Sequence, residues 1–266
     1  MKSYSDEHFE YLKSKRREKV IVHIIRISII VLFLVVWEVL ARVGAINTFL
    51  SSSPSQVFTT VFSLVKTGSL FGHIWVTLYE VLISFLIASV LGFVIGTILW
   101  SNKMIAKVID PYLTILNSLP KVALGPLIII WVGASVNSII FMALLISAFI
   151  TIINIYNGFI STDKSYITLL KSMKASKWQI FTKAVLPSNL VTIISACKIN
   201  VSMNLIGVIM GELLVSKSGL GYLIMYGSQV FNINLVITSV VILGVISYLL
   251  YFVVDACERR FVNKRQ

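Results

Sequence analysis

Lys198 lies in a long apolar run and is followed by Asn200, Ser202 and Asn204, so a cation stands beside amide and hydroxyl groups where the sequence is otherwise oily. An ammonium at membrane depth is tolerated when hydrated or paired, and a hydrated one binds anions or strongly polar ligands. Counted at ~1.5 Å per residue from Pro187, it falls ~15 Å along a helix, near mid-membrane. The alternative is a lysine that snorkels or pairs for packing alone. Covalent chemistry has no counterpart here: there is no Gly-x-x-x-x-Gly-Lys-Ser/Thr phosphate loop, no His-Glu-x-x-His and no Gly-x-Ser-x-Gly. His8, His23 and His73 are too scattered for a metal or catalytic cluster, and Cys197 and Cys257 match no metal-ligand spacing. Glu38, Glu80 and Glu212 fall toward the ends of the apolar runs.

The second chemistry is one of contact. Lys171 to Pro187 is the longest polar interruption in the chain and carries four lysines and no acid. Trp178, Phe181 and Val185 recur at helical spacing and give it an apolar edge suited to a groove in another protein. Ser176 followed by Gln179 predicts a capping box, and Pro187, which lacks an N–H donor, fits the first turn of the next helix. The bland alternative is a solvated basic loop.

These residues need a membrane frame to hold them. Of the 266 residues, 57% are hydrophobic and only 13% are charged, a composition outside the range of soluble domains. The formal net charge of +12 arises from basic residues between apolar runs and at the two ends, which is membrane topology rather than nucleic-acid binding. Spans of ~20 apolar residues are predicted near 24–42, 76–100, 109–132, 136–158, 188–211 and 233–255. Six spans put both termini on one side. Lys103 and Lys107, the five lysines from Lys164 to Lys183, and Arg259, Arg260, Lys264 and Arg265 lie on that side, against Arg42, Lys66 and Lys217 on the other. That side is cytoplasmic by the excess of positive charge. Residues 1–22 read as a basic amphipathic segment lying on the cytoplasmic surface, 23–258 as the membrane domain and 259–266 as a basic tail.

Three local features refine the frame. Ala88, Gly92 and Gly96 make a small-residue stripe for close helix packing. Pro111, Pro120 and Pro126 predict a third span that is broken and faces protein or a cavity. Glu212 ends the fifth span, and Ser218-Gly219-Leu220-Gly221-Tyr222 gives a flexible turn that either gates a path or connects two helices.

From about residue 50 onward the sequence resembles the permeases of binding-protein-dependent ABC importers, in the nitrate, taurine and sulfonate branch. The resemblance rests on Ser53-Pro54-Ser55 with Val57, Asn117-Ser118-Leu119-Pro120-Lys121 with Pro126 and Trp131, Ala175 to Phe181 with Leu186-Pro187, and Gly211-Glu212 followed by Gly219-Leu220-Gly221-Tyr222. Thr168-Leu169-Leu170 stands where the family's cytoplasmic loop has Glu-Ala-Ala, and Lys174 stands where it has Gly. The resemblance implies an all-α type I importer permease with a cytoplasmic coupling helix between the fourth and fifth spans, in loop 160–187. It implies a second permease copy as a homodimer, two cytoplasmic ATP-binding subunits that hold ATP and Mg, an extracytoplasmic solute-binding lipoprotein and a lipid surround. The chain itself then needs no cofactor and catalyses nothing. Docking to the ATPase is assigned to Thr168, Lys171, Lys174, Ala175, Ser176, Lys177, Trp178 and Phe181. The translocation path is assigned to Lys121, Lys198, Asn200 and Asn204, and an outer gate to Glu212, Gly219 and Gly221. The solute expected is small and polar or anionic, of the nitrate, sulfonate, taurine or vitamin-precursor kind. The competing reading is an ion-coupled secondary transporter of six helices, which needs carboxylates at mid-membrane.

Overall fold

The structure is a computed structural model that describes the backbone of residues 6–263. Residues 1–5 of the basic lead-in, and Lys264 and Arg265 of the tail, lie outside the described residues. The first helix, α1, runs from Asp6 to Arg42 without a break. From Asp6 onward the lead-in is continuous with the first span, and no Gly or Pro interrupts the helix. At ~1.5 Å per residue the helix is ~55 Å long, well over the ~30 Å of a hydrocarbon core. It is exposed on every side from Val20 to Val36. Its attachment is at the far end, where Glu38 accepts from Arg42 Nε at 2.7 Å and from the Ser55 N–H at 3.0 Å.

A short turn, α2 (Thr48–Ser51), leads to α3 (Pro54–Lys66). Ser53 caps α3 by accepting from the Gln56 N–H, with Pro54 at its first position. The long helix α4 (Ser69–Ser101) follows. Next come α5 (Lys103–Ser118), a 3₁₀ turn (Lys121–Leu124) and α6 (Gly125–Val132). The axes on either side of Leu119-Pro120 meet at 81°, so the third span is broken as the prolines predict. Leu119 is extended ahead of Pro120, as the proline ring requires.

Helix α7 (Val136–Ile160) leads into α8 (Lys164–Ser172) and α9 (Lys177–Ile180). A π-helical turn (Phe181–Val185) and α10 (Leu186–Ser188) complete the loop. The chain ends with α11 (Leu190–Val215), α12 (Leu220–Gln229) and α13 (Ile233–Asn263). Five helices are long and apolar enough to cross a membrane, and the bent α5/α6 pair makes a sixth span.

The centre of the bundle is α7 packed between α4 and α11. Small residues set the spacing: a Cβ at Gly92 would stand 2.5 Å from Thr151 Cγ2, and one at Gly207 would stand 2.5 Å from the Cα of Ala143. The Ala88-Gly92-Gly96 stripe is thus used within the protomer. Helix α13 closes the bundle against α11 and α12.

Candidate functional site

The loop between α7 and α11 is folded as a rigid bracket. Asp163 caps α8 by accepting from the Ser165 N–H at 2.8 Å, a bond that holds its carboxyl below the usual carboxylate range. Helix α8 ends with the Lys174 N–H on the Lys171 carbonyl and the Ala175 N–H on the Leu170 carbonyl, at 2.9 and 3.0 Å. This is a Schellman stop, which needs a left-handed residue at its centre. Lys174 supplies it, with φ of 56°. The position where the resemblance places glycine has therefore lost the glycine and kept its conformation. Ala175 and Leu170 pack on the same apolar cluster, so Ala175 serves the stop and is only half-exposed.

Ser176 then opens α9 with the expected capping box: its N–H donates to Gln179 Oε1 at 2.8 Å and its Oγ accepts from the Gln179 N–H at 3.2 Å. The helical turn ahead of Pro187 widens into the π form, since Pro187 has no N–H to donate. Asn189 fastens both ends of the loop. Its Nδ2 donates to Thr162 Oγ1 at 2.7 Å and to the Val185 carbonyl at 2.8 Å, and its side chain is buried.

The two predicted aromatic anchors stack on one another, with ring centroids 5.7 Å apart, but differ in exposure. Trp178 is 68% exposed, whereas Phe181 is 2% exposed. Phe181 lies against Trp100, Phe159 and Phe93, with ring centroids 5.2, 5.4 and 6.4 Å away. The docking role assigned to Phe181 is therefore corrected: with Ile180, Ala184 and Val185 it belongs to the inward edge, and it ties the loop to α4 and α7. Thr168, Lys171, Lys174, Ser176 and Lys177 are exposed with Trp178. Sequence reasoning missed the apolar part of this outward face, which is Tyr166, Leu169 and Met173 at 57, 60 and 71% exposure. Their spacing of three and four residues was the available signal.

The residues assigned to a path are engaged elsewhere. Lys198 Nζ binds Asp255 at 2.5 Å and also Glu258, both on α13, and lies 5.4 Å from the centre of the Tyr251 ring. Arg259 pairs with the other oxygen of Asp255 at 2.7 Å. The ammonium is thus paired with acids in an inter-helix ion cluster, one of the states in which a lysine is tolerated at membrane depth. Lys121 Nζ donates to the Asn117 carbonyl at 3.0 Å and to Asn117 Oδ1 at 3.2 Å. It restores the donor lost at the break, because the Lys121 N–H turns to Leu119 instead. Asn200 and Asn204 are fully buried. Asn200 Nδ2 donates to Ser89 Oγ at 2.8 Å and to the Phe85 carbonyl at 3.3 Å, and Asn204 Nδ2 donates to the Asn200 carbonyl at 2.9 Å. The Asn200 amide joins α11 to α4, and the Asn204 amide bonds back to Asn200 within α11, both buried within the protomer.

At the other end of α11, Glu212 is buried against the start of α12. It accepts from Thr77 Oγ1–H at 2.6 Å and from the Gly221 N–H at 2.5 Å, while Thr77 Oγ1 accepts from the Leu220 N–H at 2.9 Å. A Cβ at Gly221 would stand 2.7 Å from the Glu212 Cβ, and one at Gly219, where φ is 110°, would overlap the carboxylate. The flexible turn expected here is instead a packed one, in which glycines make room for a carboxylate. Glu80 is also buried and lies eleven residues into α4, ~16 Å from its start, so its expected place near a helix end is corrected.

The profile of the family described as binding-protein-dependent transport system inner membrane component matches residues 88–265. A Haemophilus influenzae ABC transporter permease protein is 30% identical over 88% of this chain and 95% of its own length. The formylaminopyrimidine transport permease protein ThiX of Halalkalibacterium halodurans is 30% identical over 72% of this chain and 76% of its own. An aliphatic sulfonates transport permease protein of Bacillus subtilis, SsuC, is 28% identical over 86% and 83%. Among solved structures, an inward-facing form of the MetNI methionine ABC transporter superposes with a TM-score of 0.66 over 73% of this chain and 97% of that one, at 21% identity. At that identity the likeness speaks for the fold.

Proposed function

The chain belongs to the family of inner-membrane components of binding-protein-dependent transport systems and has the type I ABC importer permease fold, and from that premise we propose how it works. Two copies enclose the path, and two separate ATP-binding subunits, which hold the ATP and Mg, seat on the 160–187 loops. An extracytoplasmic binding protein delivers the solute, and lipid surrounds the apolar spans. The excess of lysine and arginine supports a cytoplasmic position for both termini and the loop. This chain binds no nucleotide and catalyses no reaction.

The observation that carries the reading is the loop's two-sidedness. Phe181 and Asn189 brace it against the spans, while Tyr166, Leu169, Met173 and Trp178 are left uncovered within a fringe of lysines. A braced element passes on a rigid-body displacement, which a solvated loop does not. The uncovered apolar residues suit a groove in the ATPase, with an aromatic at the centre. The solute class follows the named relatives: a small polar organic compound such as a sulfonate or a pyrimidine precursor.

Trp178→Ala should weaken association with the ATPase by about 2 kcal/mol, the scale of an interface aromatic. Raising the salt from 0.1 to 1 M should weaken docking further as the Debye length falls from ~10 to ~3 Å. Co-purification and solute-stimulated ATP hydrolysis in the full complex measure both. Unchanged association and transport in a Leu169→Ala, Met173→Ala, Trp178→Ala triple variant would overturn the docking assignment.

A further inference from the structure

Glu80 is fully buried on the face of α4 that also carries Thr77 and Ser84. No hydroxyl, amide or cation among the described residues donates to either of its oxygens, and it stands one helical turn from Thr77, whose hydroxyl binds the Glu212 carboxyl at 2.6 Å. Donors are shared unequally between the two. Glu212 takes the Thr77 hydroxyl on one oxygen and the Gly221 N–H on the other, at the N-terminus of the ten-residue helix α12. Glu80 takes none.

The surroundings offer no countercharge. His73 Nδ1 accepts from the Gly219 N–H at 3.0 Å, and its ring stacks on Tyr222. Neither acid joins any of the ion pairs among the described residues, and Lys217 is exposed. No third ligand that would make the pair a metal site is found among the described residues. Two carboxylates buried one helical turn apart around Thr77, out of water and without a cation, cannot both stay ionised, because repulsion and desolvation act in the same direction.

We propose that Glu80 and Glu212 form a proton-binding site that holds one proton between them, carried on Glu80 and donated to the Glu212 carboxylate. The proton resides on Glu80 because the backbone N–H, the hydroxyl and the helix N-terminus all favour the anion at Glu212. The O–H of Glu80 is then the link that completes the joint between α4, α11 and α12. Binding the proton, which water supplies, forms the Glu80 O–H bond and this hydrogen bond, and no bond between heavy atoms is made or broken. The site's ligand is a hydron, and its rival is a monovalent cation such as sodium lodged between two carboxylates.

The two acids should respond differently to the same change. Glu80→Gln keeps the shape and still offers an N–H toward Glu212, so the full-length permease should melt within about 2 °C of the unmodified protein. Glu212→Gln puts an amide where the donors converge and should lower the melting temperature by about 5 °C or more. The infrared spectrum of the unmodified permease should carry the C=O stretch of a protonated carboxyl in apolar surroundings. That band should disappear in Glu80→Gln and persist in Glu38→Gln. Glu80→Gln failing to fold, or melting as low as Glu212→Gln, would overturn the proposal. So would a missing band, a band that survives Glu80→Gln, or a melting temperature that falls when sodium is replaced by choline in the unmodified protein and not in Glu80→Gln.

Discussion

The two ends of α11 are built by opposite rules. At the Val215 end polar groups are drawn inward: Glu212, Thr77 and the first N–H groups of α12 meet in a space that admits only glycine at positions 219 and 221. At the Leu190 end the polar groups serve the loop's own backbone, through Asn189, Ser176 and Asp163, and large apolar side chains are left outside. The first arrangement resists change because no volume is spare. The second is complete in shape yet leaves a contiguous apolar surface open, which fits the docking role proposed for it.

The largest break in this contrast is expected at Phe181. Phe181→Ala empties the centre of the aromatic cluster and should destabilise the permease by about 3–5 kcal/mol, whereas Trp178→Ala should change its stability by less than about 0.5 kcal/mol. Thermal unfolding of the two variants without the ATPase separates the inward residue from the outward one. At the opposite end, Gly221→Ala presses a methyl group against the Glu212 Cβ, 2.7 Å away, and should cost about 1–3 kcal/mol in the same measurement. The smallest effect is a gain. Lys174→Gly relieves the left-handed residue of the loop and should stabilise by about 0.5–1 kcal/mol, the left-handed strain offset in part by the entropy of glycine. A loss of stability in that variant would mean that the lysine side chain itself holds the loop.

The spans, the break at Pro120 and the capping box at Ser176 were legible because each depends on residues close in sequence. Apolar runs of the right length, a missing N–H and a Ser-x-x-Gln spacing act locally. What failed depended on partners far along the chain. The sequence around Lys198 leaves open whether it is hydrated or paired, because its partners Asp255 and Glu258 lie on another helix. Helical spacing put Trp178 and Phe181 near one another, and their rings do stack, yet spacing does not say which side of that edge faces the bundle. Glu80 was placed near a helix end because the apolar run was started at residue 76, whereas the helix begins at Ser69. Position 174 shows a different limit, since a backbone conformation can outlast the residue type that usually marks it.

The ion cluster on α13 bears on selectivity. Lys198 and Arg259 oppose Asp255 and Glu258, so two positive charges meet two negative ones and the four sum to zero. Seen from beyond a few ångströms such a quartet has no monopole, and the short-range field that remains is weakened further by water and salt. A passing solute therefore meets no net attraction or repulsion there, whatever the sign of its charge. This joint between α11 and α13 is thus compatible with an anion or a zwitterion.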